Sequence, residues 1–118
     1  MEDRYLFKAK TCRGDWVQGF LASKNGKWYI GNKAGRPLAF EIRPETICQC
    51  TGLKDKNGKL IWENDIVKIN NSKVNTLITF RDFEIICTIP NEKYYKHRLE
   101  YDTEYEVIGN TFDNPELL

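Results

Sequence analysis

Apolar and aromatic positions along the chain alternate with polar ones in short runs, and the runs are broken by Gly, Asn and Asp. A period of two places every second side chain on one face of a strand, whereas an amphipathic helix needs apolar positions three and four apart. The pattern therefore predicts strands. Tyr5, Phe7 and Ala9 share one face of a first strand. Trp16 to Ala22 forms a second, followed by Asn25-Gly26 within Ser23 to Lys27. Asn and Gly accept the positive φ angles of a type I′ turn, so Lys27 to Ile30 is expected to return antiparallel to that strand. Leu38 to Arg43 reads as a further strand, ended by Pro44, whose missing N–H bars it from a central ladder position. Thr46 to Thr51 resumes extended structure. The polar run Lys54 to Lys59, with Asn57-Gly58 inside it, predicts a second tight turn leading into Leu60-Ile61-Trp62. Ile66, Val67 and Ile69 precede an Asn70-Asn71-Ser72 turn. Val74 to Phe80 and Phe83 to Ile89 form a strand pair around Arg81-Asp82, and Tyr105 to Phe112 supplies the last strand.

Only residues 91–101 carry helical spacing, with Tyr94, Tyr95, Arg98 and Leu99 following Pro90. The expectation is a mostly β fold, a small antiparallel β-barrel or sandwich with at most one short helix near 91–101; closure is favoured because open strand edges invite aggregation. The chain of 118 residues fits one domain over 1–118, divisible into an N-terminal β-hairpin unit, 1–50, and a C-terminal small barrel, 51–118. That length supports a core without metal or disulfide staples.

No apolar run approaches the roughly 20 residues of a membrane span, and the opening Met1 to Lys10 has no apolar signal segment, so a cytoplasmic protein with no membrane partner is expected. In a reducing compartment Cys12, Cys48, Cys50 and Cys87 would be free thiols. The net charge of +1 hides an asymmetry: residues 1–60 hold 12 Lys/Arg against 6 Asp/Glu, or +6, and residues 61–118 hold 6 against 11, or −5. The halves either neutralise each other within a fold or a head-to-tail homo-oligomer, or the first half offers a basic face to nucleic acid.

Catalytic chemistry finds little support. A Cys-His pair would have to use the one histidine, His97, and no cysteine sits in a recognisable nucleophile motif. Cys48 and Cys50 project to one face of a strand, and Cys12, Cys87 or His97 would have to complete a zinc site, but the paired CxxC knuckles of structural zinc are missing. Glu100, Asp102, Glu104 and Glu106 form an acidic stripe, which is ordinarily just solvated. Neither a GxGxxG turn nor a P-loop is present, so no cofactor is expected. Exposed Trp or Tyr beside Lys27, Lys54, Lys56 and Lys59 would give the stack-plus-charge surface that single-stranded nucleic acid favours; the same aromatics could anchor a protein interface.

The run from Arg43 to Val67, with Thr51-Gly52-Leu53-Lys54-Asp55-Lys56-Asn57-Gly58-Lys59 at its centre and Glu63-Asn64-Asp65 near its end, resembles the signature of the YopX family. Tyr105 to Asn110 and the closing Asn114-Pro115-Glu116-Leu117-Leu118 resemble its C-terminal block, and Trp16-Val17-Gln18-Gly19-Phe20 is similar to its N-terminal strand. Three positions depart from the family pattern: Cys48 and Asn64 stand where Gly is usual, and Cys50 where Tyr is usual. The resemblance implies a setting in phages and prophages of bacterial host cells, and it brings no reaction with it. Read as physical chemistry, Gln49, Thr51, Gly52, Leu53, Asn57, Gly58, Asp65, Gly109, Asn110 and Pro115 form a structural signature. Gly52 and Gly58 permit unusual backbone angles, Asp55 and Asn57 close the turn on their own backbone, and Asp65 is expected to satisfy turn amides. Asn64 can replace Gly because Asn is the next best residue at positive φ.

The leading expectation is a non-enzymatic phage or prophage accessory protein working by protein-protein contacts with a partner the sequence leaves unknown, as a homo-oligomer. Its candidate contact surface is Lys54, Asp55, Lys56, Lys59 and Trp62. The alternative is a nucleic-acid-binding β-barrel module using the basic N-terminal half.

Overall fold

Asn25 and Gly26 both take positive φ, 53° and 77°, as a type I′ turn requires. They join strand β2 (Trp16–Lys24) to strand β3 (Lys27–Gly31), with Lys24 opposite Lys27. The computed structural model describes residues 5–31, 39–81, 84–89, 97–99 and 103–118. In these residues the chain is mostly β, its helical content is confined to short 3-10 turns that include Pro44–Thr46 and Pro115–Leu117, and the packing divides it into two units, Met1–Cys50 and Thr51–Leu118.

In the first unit, β1 (Phe7–Lys10), β2, β3 and β4 (Ala39–Glu41) form an antiparallel sheet in the order β4-β3-β2-β1, and Cys48 and Gln49 at the start of β5 (Cys48–Lys54) pair with Lys8 and Phe7. One face of this sheet supplies the core: Ala9, Ile30 and Ile42 are buried, and Phe7, Val17, Leu21 and Ile47 pack against them. Extended structure resumes later than the pattern indicates, because Pro44–Thr46 form a 3-10 turn. Proline is well placed at its first position, where its missing N–H costs no bond. Thr46 is buried in that turn, donating its hydroxyl to the Arg43 carbonyl at 2.7 Å and accepting the Lys10 N–H at 2.8 Å.

The second unit begins within β5, whose hairpin partner is β6 (Leu60–Trp62). It continues with a five-stranded sheet of β7 (Asp65–Ile69), β8 (Thr76–Arg81), β9 (Glu84–Thr88), β10 (His97–Arg98) and β11 (Tyr105–Asn110), ordered β10-β9-β8-β7-β11 and antiparallel throughout. Ile61, Val67, Ile78, Cys87 and Tyr105 make its core, with Leu53, Ile69, Ile85, Leu99 and Val107 packed around them. Opposite Val67 and Ile66, β11 bulges between Val107 and Gly109, so one extra residue is accommodated on that strand. Among the described residues neither sheet closes on itself, so of the two architectures expected for the chain the structure shows open antiparallel sheets and no closed barrel. Of the helix expected over 91–101, residues 91–96, 100 and 101 lie outside the described residues, while His97–Arg98 is strand and pairs with Cys87 and Ile86. Among the described residues no helix is long and apolar enough to cross a membrane.

Candidate contact face

The signature turn is held from three directions by one carboxylate. Asp55 Oδ1 accepts the N–H groups of Asn57 and Lys59, both at 2.9 Å, and Oδ2 accepts the Val107 N–H of β11 at 3.0 Å. Lys56 N–H donates to the Tyr105 carbonyl at 2.8 Å, so the loop is fastened to β11 by two bonds of opposite sense. Gly58 closes the loop at φ 82°. Burial works to raise the pKa of Asp55, but the amides of Val107, Lys59 and Asn57 and the charge of Lys59 outweigh it and hold the carboxyl below the ordinary aspartate range. Lys56 and Glu106 add an ion pair at 4.0 Å, partly exposed and therefore weak.

The rest of the signature is equally inward-looking. Thr51 donates to the Ile61 carbonyl at 2.7 Å across the β5-β6 hairpin and accepts the Leu53 N–H. Gly52 takes φ 84°, and Asn64 takes φ 72°, the glycine-like angle its neighbour Asp65 needs in order to accept the Trp62 N–H at 2.8 Å. Asn110 Oδ1 accepts the N–H groups of Phe112 and Asp113, and Asn114 Oδ1 accepts the Asn110 N–H. Gly109 has no room for a side chain: an added Cβ would lie 2.6 Å from Asn114 Oδ1. Pro115 opens the closing 3-10 turn, Pro115–Leu117. Gln49 is half-buried in β5 opposite Phe7, and Leu53 packs on the second core.

Two residues of the candidate contact surface must be moved to the interior. Asp55 is 6% exposed and Trp62 4%, and both are held by the bonds above; Lys54, Lys56 and Lys59 are exposed. The adjacency of Trp62 to the lysines in sequence therefore does not become a shared surface.

Cys48 and Cys50 do share a strand face, and both are buried. The Cys48 thiol donates to the Thr46 carbonyl at 3.3 Å. Among the described residues no three His, Cys, Asp or Glu side chains converge as metal ligands would. Burial pushes the Cys87 thiol up to about 12, against the pull of its hydrogen bond with Tyr105. Thiolate, not thiol, is the reactive species. Titration of the folded protein with a thiol reagent at pH 8 is therefore expected to modify exposed Cys12 promptly and Cys48, Cys50 and Cys87 only after denaturant is added; prompt reaction of two or more thiols would contradict the burial described.

A grouping of half-buried side chains lies in the first unit, on the sheet face opposite the one that carries Ala9 and Ile30. Strand pairing sets Lys10 opposite Trp16 and Lys8 opposite Gln18, and directly opposed residues share a face. The Lys8 ammonium lies 4.7 Å and the Lys10 ammonium 5.4 Å from the centroid of the Trp16 ring. Both distances are within cation-π range. Alternation carries the same face along β2 to Phe20 and Lys24 and across the turn to Lys27 and Tyr29, with Glu41 opposite Tyr29. Phe20 and Tyr29 are partly exposed, and Lys27 and Glu41 are 4.0 Å apart. Four lysines against one glutamate leave this face at +3 among the described residues of β1 to β4. Sequence reasoning missed Lys8 and Lys10, although the signal was there: if Phe7 and Ala9 face the core, Lys8 and Lys10 must face away.

Fold and face together define a small all-β protein of two antiparallel units, with an internally bonded signature turn in one and a lysine-aromatic face on the other. The chain belongs to the YopX family: the family model, described as YopX protein, matches residues 4–118, nearly the whole length. None of the curated proteins compared with the chain matches it.

Proposed function

We propose that the protein is a non-enzymatic accessory protein of phages and prophages that acts by contact with another macromolecule, and that the outer face of β1 to β3 makes the contact. The observation that carries this reading is the Trp16 ring with the Lys8 and Lys10 ammonium groups 4.7 Å and 5.4 Å from its centroid. The signature supports it from the other side. Its carboxylates, hydroxyl and amide oxygens on Asp55, Asp65, Thr51 and Asn110 accept the chain's own backbone N–H groups, which is the work of a frame. A tagged chain and its Trp16→Ala variant, compared in lysates of infected or lysogenic cells, test the assignment. The expected result is a component retained by the first and lost from the second; equal recovery by both would remove the face from the function.

Self-association is a second reading, favoured by the edge of the first sheet. All three residues of β4 are exposed, Phe40 by 56%, and edge strands with open backbone groups recruit further strands. Phe40 and Val17 border an open concavity of about 620 Å³ with Arg13, Asp15 and Glu41 at its margin, charges of both signs that a second copy could match. Light scattering at high protein concentration is expected to show a homo-oligomer, and a monomer there would end this reading.

A further inference from the structure

We infer that the outer face of β1 to β3 binds single-stranded nucleic acid, with the Trp16 ring as a stacking platform for a base and the flanking lysines as phosphate contacts. The inference rests on the contact reading above and names its partner class. Three observations carry it. The strand register gathers Trp16, Phe20 and Tyr29 on the face that also carries Lys8 and Lys10, so aromatic rings and ammonium groups interleave on one surface. Stacking is indifferent to base identity, and ammonium groups track the backbone; this combination is what single strands require. The Lys8 and Lys10 ammonium groups already sit beside the ring, 4.7 Å and 5.4 Å from its centroid. An incoming base takes the ring, and the displaced ammonium groups reach the phosphates on either side of that base. Among the described residues of β1 to β4 the charge of this face is +3.

The lysines argue against a protein on this face, because lysine is depleted in the cores of protein interfaces. A duplex fits less well, since its bases are already stacked and its grooves are read by an inserted helix or ribbon.

Fluorescence anisotropy with labelled oligothymidylate and oligouridylate of about 12 nucleotides, a length within known single-strand site sizes, tests the inference against a duplex of the same length. In about 50 mM salt the single strands should bind at micromolar protein or below, the duplex more weakly, and the affinity should fall linearly with salt on logarithmic axes. Trp16→Ala should weaken binding about 5- to 150-fold, the range for loss of one stacked base. The double variant Lys8→Gln/Lys10→Gln, which leaves the core and the ring untouched, should reduce the salt slope by about 1.4, or roughly 0.7 for each lost phosphate contact. Thermal unfolding of each variant establishes that it is folded. If no single strand binds, or if binding ignores both substitutions, the nucleic-acid assignment is overturned. The contact reading then stands only if the lysate comparison still shows a component that depends on Trp16. That comparison and the anisotropy fail independently.

Discussion

Gly19→Ala is expected to break the first sheet between β2 and β3, lowering stability by about 3 kcal/mol, the upper end of the usual cost of overpacking. The position is a close backbone approach. An added Cβ would fall well inside contact distance of the Gly31 carbonyl oxygen, and 3.1 Å from Ile30 Cγ2 and 3.2 Å from the Gly31 carbonyl carbon. A flexible side chain could move aside, but a carbonyl in the ladder cannot do so without parting the strands. The loss would strike where Ile30 and Leu21 meet the core of the first unit. Stability of a domain this size is only about 5–15 kcal/mol, so the loss corresponds to a fall in Tm of roughly 12 °C. Gly31→Ala is the matched control on the facing strand. Its added Cβ meets nothing within 4 Å, so its effect should stay within about 0.5 kcal/mol. Circular dichroism melts of the two variants separate the cases, and equal melting temperatures would show that β2 and β3 can part at no cost.

Whatever the chain specifies locally was legible. The Asn25-Gly26 turn needs only two residues tolerant of positive φ, and both adopt it. The returning strand of the first hairpin, β3, and the short β6 follow from alternation and the polar turns bounding them. Asn64 in place of glycine was readable for the same reason, and its φ is 72°. Long-range geometry escaped. Asp55 was rightly expected to bond its own turn, but its third bond reaches Val107, 52 residues away, and no local pattern marks that partner. Burial of Trp62 was missed because β6 is covered on both sides, Ile61 and Trp62 being 0% and 4% exposed, so strand alternation gives no inside and outside there. The late start of β5 is hidden because Thr46 continues the strand pattern, although its hydroxyl and its burial serve the 3-10 turn. Lys8, Lys10 and Trp16 form an intermediate case. Their common face follows from alternation and pairing, yet it emerges only if the lysines of β1 are followed as carefully as its apolar residues.

Asp55→Ala should cost about 3 kcal/mol at neutral pH, because it leaves three N–H groups without their charged acceptor, one of them the half-buried Val107 N–H on β11, the edge strand of the second sheet. Asp55→Asn keeps one oxygen for the Asn57 and Lys59 amides but turns an NH2 group toward the Val107 N–H, so about half the cost should remain. The pH dependence distinguishes this account from a simple packing defect. The folded carboxyl titrates below its ordinary value, whereas the unfolded one titrates near about 3.9. A depressed folded value means that the unfolded chain takes up the proton first as acid is added, so stability falls. The contribution of the charge is therefore fully present above the unfolded value and is lost as pH falls through the folded one. Urea unfolding should show a constant gap between the native chain and Asp55→Asn from about pH 5 to pH 8, closing progressively below about pH 4. The comparison cancels the other carboxylates, which titrate in both chains. A gap that stayed constant down to about pH 2 would mean that Asp55 stabilises the signature turn by shape alone, with its charge contributing nothing to the fastening of the loop on β11.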